Sequence, residues 1–215
     1  MSESSTPRDL SRRGFISDLA VGAGGALAIS SLLPAEAAAA QIAAKEVGIA
    51  EWDLTWIDRL TGKYRAVFDS PDINEGTVFT NAQVFMMGFG EVYKASDADM
   101  QPVLVLRHHG VHLAFNDAMW EKYAVAESLK LPVGDKKNPY TSQISALRDR
   151  GAMFLVCNLA ANRQAGTIAR RIGADVATVR ADIYANFIPG AILQHSGVFA
   201  TIRAQQAGCS FMKSA

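Results

Sequence analysis

The chain predicts an α/β fold: a mostly parallel sheet of about five strands with helices on its faces. Three observations predict it. Short apolar runs recur at residues 64–68, 102–106, 152–156, 189–193 and 209–213, each too brief for an independent helix. The runs PVLVL and AMFLV are apolar throughout rather than alternating, as strands covered on both faces are. Between the runs lie stretches of helical period, which is how parallel strands are joined.

Bulk composition narrows the rest. With 215 residues the chain holds one substantial core. Its 21 Lys and Arg balance 21 Asp and Glu, so charge gives no reason for a nucleic-acid partner or an anionic membrane surface.

The first forty residues read as an address. Ser11-Arg12-Arg13-Gly14-Phe15-Ile16 precedes an apolar Gly- and Ala-rich stretch at 19–33, then Pro34 and Ala35-Glu36-Ala37-Ala38. That order is a basic region, an apolar region and a small-residue cleavage site: a signal peptide over 1–40. Its paired arginines resemble the bacterial twin-arginine export signal, with Ser17 where lysine is common. The apolar stretch, about 15 residues, is short of the roughly 20 that span a bilayer, so cleavage and no stable membrane insertion are expected, with a periplasmic mature protein.

Residues 41–62 form an N-terminal arm. In EWDLTWIDRL, Trp52, Trp56, Ile57 and Leu60 share one helical face and Thr61-Gly62 ends the helix. Such a face is either a lid on its own domain or an arm on a neighbouring subunit. The α/β domain spans 63–215. Its first strand, 64–68, closes in the polar turn Asp69-Ser70-Pro71-Asp72; a broadly apolar helix follows at 76–93, with Met86-Met87 as core filler. The second strand, 102–106, runs into Arg107-His108-His109-Gly110-Val111-His112, and Asn116 caps a helix at 117–123. Residues 131–140 are loop. Thr141 caps the helix 142–150, which delivers the chain to the third strand, and Cys157 ends that strand. After helical segments to Ile172, Gly173-Ala174-Asp175 breaks the chain and caps 176–187. The fourth strand leads through Gln194-His195-Ser196-Gly197 into a helix at 198–207, with Ser196 as its cap.

Chemistry-bearing residues collect where strands end. Ligands of open α/β sheets bind beyond the carboxyl ends of the strands, which singles out Cys157. A helix amino terminus just after it lowers a thiol's pKa through unpaired N–H groups. Against this stands the ordinary fate of a free cysteine, a small buried hydrophobe. His108, His109 and His112 crowd a second strand end; the spacing of His108 and His112 suits a metal only on a helix, and Gly110 opposes one. His195 leaves a third strand end. Asn158, Ser196 and Gly197 are candidate contacts for an anion or ligand in the crevice, Gly197 because it lets backbone approach closely. Cys209 reads as packing. The two cysteines should remain free thiols, because one closes a strand and the other opens one, at opposite ends of a parallel sheet.

The strand-Cys pattern at 154–157 and the closing HSGVFATIRAQQAGCSFMK, with Ser196-Gly197-Val198, Gln205 and Gly208, resemble the DsrE/DsrF-like family of sulfur-relay proteins. RHHGVHLAFND looks like exported relatives. The resemblance covers about 64–213. It implies a small Rossmann-like three-layer fold, a homo-oligomer (trimer or hexamer), and a role for Cys157 as a persulfide or thiol carrier receiving sulfur from a donor; no cofactor is expected. His108, His109 and His195 would then tune its charge. The alternative function is a non-enzymatic module binding a small ligand or metal through the strand-end histidines.

Overall fold

The computed structural model describes residues 52–132 and 136–214. The expected signal peptide, and the arm before Trp52, lie outside the described residues. Five strands form: β1 Tyr64–Ser70, β2 Met100–Leu106, β3 Met153–Cys157, β4 Ala191–Gln194 and β5 Ser210–Lys213. They make one sheet in the order β4-β3-β2-β1-β5, parallel at every pairing. The helices are α1 Thr77–Tyr93, α2 Asp117–Lys122, α3 Val125–Ser128, α4 Thr141–Asp149, α5 Asn158–Ile172, α6 Val176–Ala185 and α7 Gly197–Gln206.

Alternation along the strands sorts the core into two layers. Phe68, Leu104 and Val156 point to one face, where they meet Phe79 and Met86 of α1, Leu147 of α4, and Ala161 and Ala165 of α5. Val67, Val103, Val105 and Leu155 point to the other, against Ala200 and Ala204 of α7 and Trp56 and Leu60 of the arm. The result is a three-layer Rossmann-like α/β fold.

The strand order fixes where the crevice lies. From β1 to β4 each connection moves one strand along the sheet, with its helices on the first face. The step from β4 to β5 runs back across the whole sheet. A right-handed crossover in the reversed direction must pass over the opposite face, so α7 lies there. The chain leaving β3 therefore turns to one face and the chain leaving its neighbour β4 turns to the other. That divergence is the topological switch point, where α/β sheets open a crevice. Cys157 and Gln194 are register partners at its base.

Several expectations change in detail. The helix expected at 51–60 is not formed by its described part, which holds only a 3₁₀ turn, Thr55–Ile57, with the Asp53 carboxylate accepting from the Thr55 amide and hydroxyl. Aromatic and β-branched residues are weak helix formers, and Trp56 is buried completely against its own sheet. Thr141 does not cap α4. Tyr140 holds the cap position without a side-chain bond, while the Thr141 hydroxyl donates to Asp117 Oδ1 at 2.6 Å. Met87 is exposed, unlike Met86. Asn116, Asp175 and Ser196 cap α2, α6 and α7 through their side chains, as expected.

Candidate functional site

The site is built on the carboxyl ends of the strands. Cys157 is both the last residue of β3 and the N-cap of α5, its Sγ accepting the Ala160 amide at 3.3 Å. The sulfur thus sits on the amino end of a 15-residue helix. Only 6% of the residue is exposed. Both cysteines are free and buried.

The neighbouring strand ends hold a pair that sequence reading passed over. β1 and β2 end level, with Ser70 opposite Leu106, so Asp69 near one strand end faces Arg107 just past the other. Arg107 donates from Nε to Asp69 Oδ1 at 2.6 Å and from Nη2 to Oδ2 at 2.8 Å. The hydrogen bonds to Asp69 raise the guanidinium's pKa. Arg107 lies across the amino end of α7: a Cβ at Gly197 would stand 2.5 Å from Arg107 Cβ and 2.6 Å from its Cδ. The close approach that Gly197 allows is therefore made by an arginine of the same chain. The legible signal was a charged residue at the end of each of two apolar strands.

Asn158 and Ser196 are already engaged. The Tyr184 hydroxyl bonds the Asn158 side-chain oxygen, and also that of Asn162 at 2.8 Å. Ser196 Oγ accepts the Phe199 amide at 3.1 Å as the cap of α7. Gln194, fully buried, donates to the Asp53 carbonyl at 2.8 Å while its Oε1 has no partner.

The histidines divide. Residues His108–Ala114 form a 3₁₀ helix rather than the irregular loop expected, entered through His108 in a left-handed conformation with φ 53°. His108 and His109 are exposed, with ring centroids 5.0 Å apart. His112 is buried, its Nδ1 2.8 Å from the His109 carbonyl oxygen, and burial lowers its pKa to about 4. It is neutral at ordinary pH, so Nδ1 carries the proton and donates. Its own carbonyl accepts from Trp120 Nε1, which makes it part of the core. His195 stands apart. Among the described residues its ring contact is with Trp52, edge-on at 5.6 Å, and none joins it to the other three. Nor do three His, Cys, Asp or Glu side chains among the described residues converge as metal ligands would.

Among the described residues, surface grooves lie elsewhere, three of them well formed. One of about 530 Å³ runs between α1 and β5; two of about 370 and 320 Å³ flank α4. None is lined by Cys157 or a histidine.

The fold and site together define a parallel, doubly wound α/β protein with a buried thiol at its switch point. No family model matches the chain, and no curated protein matches it. A solved structure of a protein of unknown function from Methanobacterium thermoautotrophicum is similar at 17% identity and a TM-score of 0.41, over 70% of this chain and 98% of that one.

Proposed function

We propose that this is an exported DsrE-like protein whose Cys157 carries sulfur as a persulfide or undergoes reversible thiol chemistry. The observation that carries the reading is the place of Cys157 Sγ: at the switch point, on the amide-rich end of α5. The unpaired N–H groups and partial positive charge of a helix amino end face the sulfur there. In the loading step the Cys157 thiolate attacks the outer sulfur of a donor persulfide. One S–S bond forms, the donor's S–S bond breaks, and the donor leaves as a thiolate. His108 and His109 at the end of β2 and His195 directly after Gln194, the register partner of Cys157, are the exposed members of the histidine set beside the crevice. Export rests on residues 1–40. Assembly into a trimer or hexamer belongs to the same reading, and exposed Leu159, Val198 and Ile202, on α5 and α7 whose amino ends border the crevice, offer apolar surface for it. The histidine-based ligand or metal module has less support, because His112 is spent in the core.

The test is exposure of the folded protein to a small persulfide donor, with peptide mass mapping. Addition of one sulfur atom to Cys157 and none to Cys209 is expected, and Cys157→Ser abolishes it. Uptake at both cysteines only after unfolding would refute the reading.

A further inference from the structure

The groove between α1 and β5 has no part in the thiol chemistry and has features of its own. Helix α1 packs over β1 and β2, and β5 is added beyond β1 at the edge of the sheet. On the α1 side, Ser210 and Met212 of β5 lie in register with Ala66 and Phe68, and all four β5 residues are exposed. One wall is a chain of aromatic rings. Phe68 meets Phe85 at 5.8 Å, Phe85 meets Phe89 at 5.0 Å, and Phe89 meets Tyr64 at 4.4 Å and Tyr93 at 5.6 Å. This apolar trough ends in two cations at the amino end of β1. Lys63 holds its Nζ 5.0 Å above the Tyr64 ring. Arg65 is anchored through Nη1 to the carbonyls of Leu60 and Ala207, at 3.2 and 3.0 Å. No Asp or Glu lines the groove; Lys63 feels the Asp99 carboxylate outside it, but neither Lys63 nor Arg65 forms a direct ion pair among the described residues. Two cations and no acid in its lining give the aromatic trough one positive end.

We propose that this groove binds an aromatic carboxylate. The ring lies along the Tyr64 to Phe89 wall, where stacking and burial favour it, and the carboxylate meets Lys63 and Arg65. The volume of about 530 Å³ falls within the roughly 300–1,000 Å³ of small-molecule sites.

Calorimetric titration of the full 215-residue chain with naphthoate and with neutral naphthylmethanol tests this. The acid should bind about tenfold more tightly, as a charge-assisted hydrogen bond requires. Lys63→Gln, at an exposed position, should weaken naphthoate by about fivefold and leave naphthylmethanol unchanged. Equal affinity for the two compounds, indifference of naphthoate to Lys63→Gln, or no binding at millimolar concentration overturns the proposal. So does a full chain that sediments as an oligomer and becomes monomeric with Met212→Lys, since the groove would then be filled by a second copy. None of these outcomes depends on Cys157.

Discussion

Replacing Gly110 with alanine should destabilise the protein severely, for a purely steric reason. Gly110 does not adopt a positive φ, so alanine suffers no backbone strain there. The difficulty is space. An added methyl would overlap the Ser70 carbonyl oxygen outright and stand 3.1 Å from both the Ser70 carbonyl carbon and its Oγ. Ser70 cannot yield: it ends β1, is fully buried, and its carbonyl accepts the Arg107 amide at 3.1 Å. The His108–Ala114 turn cannot yield either, since His109 and Gly110 amides are tied to the Pro71 carbonyl. Overpacking between two backbones belongs at the upper end of the usual range, about 3 kcal/mol. Gly151→Ala is the matched control. It has φ 90° and nothing within 4 Å, so it isolates conformational strain, about 1 kcal/mol. With a urea slope of about 2 kcal/mol per molar, the midpoints should fall by about 1.5 M and about 0.5 M respectively. If Gly110→Ala loses no more than Gly151→Ala, the packing of this turn on Ser70 has been misjudged, and with it the placement of the strand-end histidines.

Three further outcomes are expected. Asp69→Ala leaves the Arg107 guanidinium without its two shortest bonds and should lower stability by about 2 kcal/mol in urea melts, more than the double change Asp69→Ala with Arg107→Met. His112 is depressed to about 4 from 6.5, so between those values the unfolded chain binds the extra proton; stability should therefore fall as pH drops through this window, by at most about 3 kcal/mol, and His112→Gln should flatten that slope. Trp56→Ala should cost about 4 kcal/mol but Trp56→Phe only about 1 kcal/mol, because the indole is fully buried yet its Nε1 has no partner to lose; similar midpoints for the two variants would contradict this.

What could be read from the chain, and what could not, divides along local and non-local physics. Apolar runs such as PVLVL announced their strands, since a fully covered strand leaves no polar alternation to mistake for anything else. Cys157 was placed at a strand's carboxyl end, and Asn116, Asp175 and Ser196 were placed as caps, because capping is decided within four residues. The Asp69–Arg107 pair was out of reach. It exists only because β1 neighbours β2 with their ends level, and strand order is not written in either segment. The same ignorance hid the edge position of β5: Phe211 and Met212 look like core in the sequence and are about half exposed in the fold. In 51–60 the helical period was genuine as a pattern, but Trp56 follows a 3₁₀ turn into the layer beside α7. The burial of the histidines was equally out of reach. The three rings do stay together, His109 lying 5.0 Å from His108 and 6.4 Å from His112, but the turn sends His112 inward and leaves the other two outside.

The two thiols show what the topology contributes beyond burial. Cys157 and Cys209 are equally hidden, each 6% exposed. Burial alone would make both inert, and it does push Cys209 up to about 11, with Arg65 pulling the other way. The difference lies in which end of a strand each occupies. In a parallel sheet every strand has the same polarity, so a residue at a carboxyl end meets the amino terminus of the next helix, and a residue at an amino end meets the carboxyl terminus of the last one. Cys157 caps α5 and its sulfur accepts an amide. Cys209 follows α7, and its contribution is the reverse: its own amide donates to the Ala204 carbonyl at 3.0 Å, closing the end of that helix. An anion at Cys157 faces donors; an anion at Cys209 would face the acceptor end of a helix dipole. Direction of chain, not depth of burial, therefore distinguishes the surroundings of the two sulfurs, and a sulfur-loading experiment in which Cys209 outran Cys157 would refute the proposed role of Cys157.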